Sequence, residues 1–175
     1  MSEGHRDFFA ALFRPGDGLI ELRALPSRDR DFVRPVDIAG MGQFVRSHFR
    51  EDVYFGVAAR QDKTSGRLKN CANIRCLFAD LDFKQFESEE DAWQALEDFP
   101  LKPSLLVRSG GGLHCYWLLA EPINLRNQAE ECKMLLRAIA QVLGADLSSA
   151  EPARVLRVPG TLNYKYQPPR EVSLV

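Results

Sequence analysis

Residues 74–83 read IRCLFADLDF and place two acidic side chains inside an apolar run. Side chains alternate between the two faces of a β-strand, so Ile74, Cys76 and Phe78 share one face. Asp80 and Asp82 continue that face, with Cα atoms about 6.5–7 Å apart. The stretch therefore predicts a strand that is buried at its start and presents two carboxylates at its end.

The two carboxylates have a structural and a chemical interpretation. Both could simply be hydrated where the strand leaves the core, since Asp-x-Asp pairs occur by chance. Alternatively they bind cations, because like charges this close repel unless a cation neutralises them. Mg²⁺ and Mn²⁺ prefer oxygen ligands and often combine carboxylates with substrate phosphates, as in two-metal phosphoryl transfer. Asp146 is a candidate third carboxylate, with Glu151 as its competitor.

Residues 109–114, SGGGLH, form a second candidate site. Successive glycines allow positive φ and a close approach of the backbone to a ligand, and consecutive N–H groups can form an anion-binding nest. Ser109 adds a hydroxyl donor, and His114 lies two residues beyond the last glycine. The pattern is neither a P-loop nor a dinucleotide fingerprint. The alternative is a glycine hairpin in which His114 is an ordinary satisfied polar residue.

Residues 153–165, ARVLRVPGTLNYK, form a third candidate site. Arg154 and Arg157 differ by three positions, so on a strand they point to opposite faces and only one can face a given site. Arg157 offers a planar fork for phosphate oxygens, and Lys165, beyond the Pro-Gly-Thr turn, is a mobile point charge suited to a triphosphate. The alternative is a proline turn with surface charges.

The order of elements predicts an α+β fold with a mixed or antiparallel sheet. Asp37 can N-cap one helix, and Ser88 with Asp91 forms a capping box for another. Asn124 can cap a longer helix that stops at Gly144. The predicted strands are residues 18–25, 53–59, 74–83, 103–109, 113–120, 153–159 and 171–175, and the predicted helices are 37–49, 88–99 and 124–143.

The composition is that of an ordinary globular chain, with 175 residues, 45% hydrophobic and 27% charged. This suits one domain spanning residues 1–175, and because the sequence ends inside a predicted strand we expect it to be excised from a longer protein. No apolar stretch approaches the ~20 residues that cross a bilayer, and the N-terminus has no signal-peptide pattern. We therefore expect no membrane partner. Four cysteines without metal-ligand spacing suggest a cytoplasmic protein with reduced, apolar thiols.

The charges are segregated although the net charge is only −1. Residues 60–75 contain five basic residues and one acid, and residues 154–170 contain four basic residues and no acid. Such segregation fits a surface that faces a polyanion, and solvated loops are the alternative. The candidate nucleic-acid contacts are Arg60, Lys63, Arg67 and Lys69.

Three blocks in a fixed order carry a family resemblance: FADLDF, SGGGLHCYW and GADLSSAEPARVLRVPGTLNYK. They resemble the archaeo-eukaryotic primase superfamily, and within it the primase-polymerase domains of plasmids, phages and mobile elements. That family has an Asp-x-Asp motif, a small-residue loop ending in His, an isolated acid, and then Arg-Val-Pro-Gly-Thr-x-Asn-x-Lys. The blocks span residues 78–165, about half of the chain.

The resemblance implies an N-terminal α/β unit beside a unit like the RNA-recognition-motif sheet, with the active site between them. It implies that Asp80, Asp82 and Asp146 are catalytic and bind two Mg²⁺ or Mn²⁺ ions. The implied nucleotide-binding residues are Ser109, Gly110, Gly111, Gly112, His114, Arg157 and Lys165.

The implied activity is template-directed addition of dNTPs or NTPs to a 3′-hydroxyl in the replication of a plasmid, phage or other mobile element. The implied partners are the nucleotide, single-stranded DNA template, primer, and a helicase or helical accessory domain. A catalytically inactive or accessory domain that binds single-stranded DNA or nucleotide is the alternative. A replication-initiator nuclease is disfavoured because the sequence has no His-x-His motif. A nucleotide cyclase or oligonucleotide synthetase would share the carboxylates, but the Arg-Val-Pro-Gly-Thr block does not suggest one.

Overall fold

The computed structural model describes residues 3–175, which form helices packed on antiparallel sheets. The helices are α1 (Glu3–Leu12), α2 (Ile38–Ser47), α3 (Glu89–Asp98) and α4 (Ala129–Leu143). The strands are β1 (Ile20–Leu25), β2 (Arg30–Val33), β3 (Asp52–Gly56), β4 (Asn73–Asp82), β5 (Leu105–Arg108), β6 (Gly112–Asn124), β7 (Val155–Arg157), β8 (Leu162–Asn163), β9 (Arg170–Glu171) and β10 (Ser173–Leu174). All strand pairs in this range are antiparallel. The predicted α+β class is confirmed.

The first sheet, called the N-terminal sheet, has the strand order β2-β1-β3-β7. The aromatic residues of α1 and its end cover one of its faces: Phe8, Phe9 and Phe13 pack edge-on against Phe55 of β3, with ring centroids 5.2–6.3 Å apart. The helix α1 is not among the elements predicted from the sequence. Because the apolar face is taken by α1, the polar side chains of this sheet lie on its other face.

The second sheet, called the central sheet, has the order β10-β5-β6-β4. The strands β4 and β6 pair along most of their length, ending with Asp82 opposite Gly112. The helix α4 packs against β4 and buries Cys132, Leu136 and Ala140. Ile74, Cys76 and Phe78 are each 1% exposed, as the alternation in β4 predicts. This packing fixes the end of β4, where the two acids lie.

Three of the four predicted helix-capping signals are confirmed. The Asp37 carboxylate accepts a hydrogen bond from Gly40 N at 2.8 Å and caps α2. The Ser88 hydroxyl accepts from Asp91 N at 3.1 Å and caps α3. Gly144 ends α4 with φ 67°. These contacts lie within one turn of the helix, so short sequence patterns are sufficient to predict them.

The predicted cap at Asn124 is wrong. Asn124 is still part of β6 and pairs with Asn73 of β4. Its side-chain oxygen accepts from Arg126 N at 3.0 Å and forms a turn. The helix α4 therefore begins later, at Ala129 after Gln128, because strand pairing across the sheet takes precedence over the local cap.

The cysteines behave as small apolar residues. All four are free and buried, as predicted. Burial raises the pKa of the Cys115 thiol to about 12, so it is protonated at neutral pH.

In the described part of the chain, none of the helices has both the length and the hydrophobicity needed to cross a membrane.

Candidate active site

A cavity of about 300 Å³ between the two sheets brings the three predicted blocks together. The sequence candidates that line it are Asp80, Asp82, Ser109, Gly111, His114, Asp146, Arg157 and Lys165. Tyr54, Arg154, Asn163 and Tyr166 also line it. Gly110 and Gly112 do not reach its wall. Carboxylates, cations and part of the glycine loop therefore share one site.

The carboxylates meet because two elements are joined by a backbone hydrogen bond. Asp80 and Asp82 are two positions apart at the end of β4. Asp146 N donates to the Asp80 carbonyl at 3.2 Å and ties the segment after α4 to that strand. Asp82 Oδ1 accepts from Lys84 N at 3.0 Å, which fixes its side chain at the strand end.

The oxygen chemistry of the cavity fits a divalent metal ion. Three carboxylates line it, and Mg²⁺ and Mn²⁺ are often held by one or two carboxylates plus substrate phosphates. Among the side chains that the structure describes, residues 6–175, however, no group of three His, Cys, Asp or Glu side chains is clustered so as to hold a metal by itself. Asp146 accepts from the backbone and hydroxyl of Ser148 at 2.8 and 2.7 Å. Metal binding stays a prediction, and nucleotide phosphates would have to complete the ligand set.

His114 lies opposite Asp80 in the β4–β6 register and is 4% exposed. Its Nε2 is 3.7 Å from Asp80 Oδ1, which is longer than a hydrogen bond. Burial lowers the pKa of His114, Asp80 opposes this effect, and Arg157 and Arg154 add to it. The imidazole is therefore neutral at neutral pH and offers one N–H donor without a positive charge.

Both Arg154 and Arg157 line the cavity, so the prediction that only one of them can face it is wrong. The strand β7 begins at Val155, so Arg154 precedes it and does not follow strand alternation. Arg154 Nη2 is 3.7 Å from Asp80 Oδ2. The site therefore has one more cation beside its first carboxylate than the sequence predicts.

The glycine loop is a tight turn closed by Ser109. Ser109 N and Oγ both donate to the Gly112 carbonyl, at 2.9 and 3.1 Å. Gly110 has φ 83°, a conformation that favours glycine. Asn163 donates to the Ser109 carbonyl at 2.8 Å, and Arg170 donates to the Gly110 carbonyl at 2.9 Å. The Ser109 hydroxyl holds the turn in this structure, and its contact with a triphosphate stays a prediction.

Gly112→Ala is expected to lower the free energy of unfolding by about 1–3 kcal/mol. An added Cβ at Gly112 would lie well inside van der Waals contact of the Leu81 carbonyl oxygen, which is backbone and cannot rotate away. Urea denaturation followed by tryptophan fluorescence measures the change.

Gly40→Ala is the matched control for Gly112→Ala. Its Cβ would lie 2.5 Å from Asp37 Oδ2, but that carboxylate is the end of a rotatable side chain. Alanine's higher helix propensity offsets a weakened cap, so we expect a change of about 0.5 kcal/mol or less. Equal losses for the two variants would contradict the close approach of β4 and β6 at Gly112.

Arg157 is held from two sides by Asp52 and Tyr54, and the sequence analysis paired neither of them with it. Its Nη1 donates to Asp52 Oδ1 at 2.5 Å, and its guanidinium lies 4.8 Å from the centre of the Tyr54 ring. Asp52 Oδ1 also accepts from Tyr164 N at 2.8 Å. Asp52 is 105 residues before Arg157, so no local pattern could reveal the pair.

The prediction that Arg60 contacts nucleic acid is wrong, because its side chain is fully buried. Arg60 Nε and Nη2 donate to Glu21 Oε2 at 3.0 and 2.8 Å. The guanidinium also donates to the Ala58 and Ala153 carbonyls, at 2.6 and 3.1 Å. Arg60 therefore joins β1 to the segment before β7 and cannot reach a ligand.

The other three basic candidates are exposed but face different ways. Lys63 lines a cavity with Pro35 and Val36 on another part of the surface. Arg67 and Lys69 line a larger cavity that borders the active site. Contact of these three residues with nucleic acid stays a prediction.

The fold is that of known primase catalytic domains. The archaeo-eukaryotic primase domain of the cyanophage S-2L primase-polymerase matches with a TM-score of 0.71 and 18% identity, over 99% of this chain and 89% of that chain. Primase RepB′ matches with a TM-score of 0.65 and 16% identity, over 98% of this chain and 54% of that chain. The catalytic domain of RepB′, in complex with initiator DNA, matches with a TM-score of 0.63 and 18% identity, over 98% of this chain and 80% of that chain. The resemblance carried by the three sequence blocks is confirmed at the level of the fold.

Two sequence relatives are longer proteins, and this chain matches only a part of each. An uncharacterized protein of Methanocaldococcus jannaschii is 33% identical in an alignment of 134 residues, which covers 69% of this chain and 10% of that protein. A replication protein of Clostridium perfringens is 29% identical in an alignment of 111 residues, which covers 59% of this chain and 27% of that protein. No family model matches the chain. The chain thus spans about a tenth and about a quarter of the lengths of these two relatives.

Proposed function

We propose that this chain is the catalytic core of a template-directed DNA primase-polymerase. It would add dNTPs or NTPs to a 3′-hydroxyl during replication of a plasmid, phage or other mobile element. The observation that carries the proposal is the cavity in which carboxylates, cations and the glycine loop meet. The fold shared with primase-polymerase domains and the similarity to a replication protein support it.

The three acids are the groups that would hold divalent metal. Asp80, Asp82 and Asp146 would bind Mg²⁺ or Mn²⁺ together with phosphate oxygens of the nucleotide. The metal would supply charge neutralisation on the phosphates and activation of the attacking hydroxyl. The backbone hydrogen bond from Asp146 to Asp80 supports this role, because it holds the carboxylates at one edge before substrate binds.

The cations and His114 would hold the triphosphate. Arg157 would present a guanidinium fork that Asp52 and Tyr54 already orient. Lys165 would add a mobile charge. Neutral His114 would donate one N–H to a phosphate oxygen. These residues would accelerate the reaction mainly by positioning the nucleotide and offsetting its negative charge.

A domain that binds nucleotide or single-stranded DNA without catalysis is the second candidate. One observation favours it: Asp82 and Asp146 are engaged by the local donors of Lys84 and Ser148. A metal would have to compete with those hydrogen bonds. The two candidates differ in whether nucleotide binding leads to strand extension.

Extension of a labelled primer–template by the wild-type chain tests the proposal. With Mn²⁺ or Mg²⁺ we expect products whose sequence follows the template, and none in EDTA or without template. Comparing dNTPs with NTPs gives the nucleotide preference. Metal-dependent binding of dATP without extension would favour the second candidate, and the lack of any metal-dependent dATP binding would contradict the nucleotide site itself.

A further inference from the structure

The β8–β9 hairpin, residues 162–171, forms one wall of the active-site cavity. Its two strands pair in antiparallel register, and Asn163, Lys165 and Tyr166 line the cavity. Asn163 is engaged, because it donates to the Ser109 carbonyl at 2.8 Å. The sequence motifs select Lys165 as a phosphate contact, but they give Tyr166 no role. The hairpin therefore brings into the site one aromatic hydroxyl that the sequence does not explain.

Contacts on both sides hold this hairpin in place. Toward the N-terminal sheet, Tyr164 N donates to Asp52 Oδ1 at 2.8 Å, and the Tyr164 hydroxyl donates to the Phe49 carbonyl at 2.7 Å. Toward the central sheet, Arg170 Nη1 donates to the Gly110 carbonyl at 2.9 Å. The hairpin thus bridges the two sheets across the cavity, and its side chains are in position before a ligand binds.

Tyr166 is fixed between Arg170 and the glycine loop. The Arg170 guanidinium lies 4.0 Å from the centre of the Tyr166 ring, within the range of a cation–π contact. The hydroxyl end of the ring lies against Gly111, where an added Cβ would overlap the Tyr166 oxygen. The phenol comes this close to the loop because residue 111 has no side chain.

The Tyr166 hydroxyl has no protein partner among the described residues. None of the hydrogen bonds in this part of the chain involves it, whereas the hydroxyl of the neighbouring Tyr164 is engaged. The Tyr166 oxygen is also not one of the buried atoms that lack a partner, so it is accessible in the cavity. A phenol O–H donates one hydrogen bond without adding charge. Tyr166 therefore offers a free, pre-positioned donor to a ligand.

The surroundings favour a phosphate oxygen as the acceptor. Neutral His114, Arg157 and Lys165 line the same cavity, and all three present donors. One anion with several acceptor oxygens satisfies them together with the Tyr166 hydroxyl. Stacking of Tyr166 on a base is the alternative, but Arg170 already covers one face of the ring. The hydroxyl, rather than the ring face, is thus the group that Tyr166 presents.

We propose that Tyr166 is a nucleotide-contacting residue whose hydroxyl donates to the triphosphate beside the glycine loop, and that Arg170 positions it. The identity of the ligand rests on the proposed function, but the contact is measurable as binding, without strand extension. Because the contact forms when the nucleotide binds, it contributes to affinity rather than to the chemical step.

The test is the binding of dATP and of inorganic tripolyphosphate, each with Mn²⁺, measured by isothermal titration calorimetry. Tyr166→Phe removes the hydroxyl and keeps the ring against Arg170. We expect dATP to bind about ten-fold more weakly, the loss typical of a hydrogen bond to a charged group. Tripolyphosphate should lose affinity by the same factor, because it carries the phosphates without the sugar and base. In primer extension the KM for dATP should rise about ten-fold, with kcat within about two-fold of wild type.

Tyr164→Phe is the matched control, because it removes the hydroxyl of the same hairpin that donates to the Phe49 carbonyl. Its affinity for dATP should stay within about two-fold of wild type. Equal losses in the two phenylalanine variants would mean that only the anchoring of the hairpin matters, and would overturn the proposal. So would a loss in Tyr166→Phe for dATP that is absent for tripolyphosphate, since the hydroxyl would then contact the sugar or base.

Gly111→Ala tests the same contact from the opposite side. Its Cβ displaces the Tyr166 hydroxyl, so it should also weaken dATP binding. Combining it with Tyr166→Phe should add less than about two-fold to the larger single loss, whereas two losses that multiply fully would contradict a shared contact.

The outcomes also separate this contact from the proposed function. Undiminished dATP binding in Tyr166→Phe would overturn the inference and leave the proposed nucleotide site intact. A wild-type chain that binds no dATP would overturn both. Binding that depends on the Tyr166 hydroxyl, in a chain that extends no primer, would support the contact and contradict the proposed catalysis.

Discussion

Primer extension is expected to fall by about a thousand-fold or more when Asp80 and Asp82 are both replaced by asparagine. Asparagine keeps the size of the side chain and one oxygen, but it removes the two negative charges that divalent ions require. The fold should survive, because an asparagine side chain in place of Asp82 could still accept the Lys84 N–H that the carboxylate accepts at 3.0 Å. Within the described residues, the Asp80 carboxylate lies 3.7 Å from the Arg154 guanidinium and 3.7 Å from the neutral His114 imidazole, both longer than a hydrogen bond. Single-turnover extension with Mn²⁺ and with Mg²⁺ measures the loss.

Two controls separate lost catalysis from lost structure. The thermal midpoint of the double asparagine variant should stay close to that of wild type. Glu130→Gln with Glu131→Gln removes the same charge from exposed positions on α4 and should leave extension within about two-fold. If the double asparagine variant extended primers within ten-fold of wild type, these carboxylates would not be the metal ligands of a polymerase.

The sequence predicted the parts of the site that depend on local geometry. Strand alternation placed Asp80 and Asp82 on one face of β4, continuous with the buried Ile74, Cys76 and Phe78. The order of the three blocks predicted the fold that the primase structures share. Strand alternation needs only a few neighbouring residues, and the family resemblance needs only the motifs and their order, so both hold without knowledge of the tertiary structure.

The predictions that were wrong or missing concern contacts between segments that are distant in sequence. Arg60 is the first basic residue of the 60–75 segment, and nothing in the sequence distinguishes it from the other basic residues there. Its side chain is nevertheless buried, because it pairs with Glu21, 39 positions earlier. Asp52 is the partner of Arg157 only because β3 and β7 pair. Arg154 enters the site because β7 is short and begins after it. Charge patterns identify a basic segment, but only packing decides which of its members stay exposed.

Arg60→Met is expected to lower the free energy of unfolding by about 3–5 kcal/mol. Methionine fills a similar volume, but it leaves the fully buried Glu21 without its closest buried partner. Arg23 and Arg30 remain near that carboxylate, which favours the lower end of the range. The substitution also removes the donors to the Ala58 and Ala153 carbonyls. Urea denaturation at neutral pH measures the loss.

The cause of that loss can be isolated with a double-mutant cycle. Glu21→Gln with Arg60→Met removes both charges, so it should be more stable than Arg60→Met alone if the uncompensated carboxylate causes the damage. Arg67→Met is the matched control: it lies in the same basic segment, is exposed, and should change stability by about 0.5 kcal/mol or less. The two methionine variants should therefore differ in stability, with Arg60→Met losing about 3–5 kcal/mol and Arg67→Met about 0.5 kcal/mol or less. If Arg60→Met instead weakened DNA binding at unchanged stability, Arg60 would be a surface contact and the buried pair with Glu21 would be wrong.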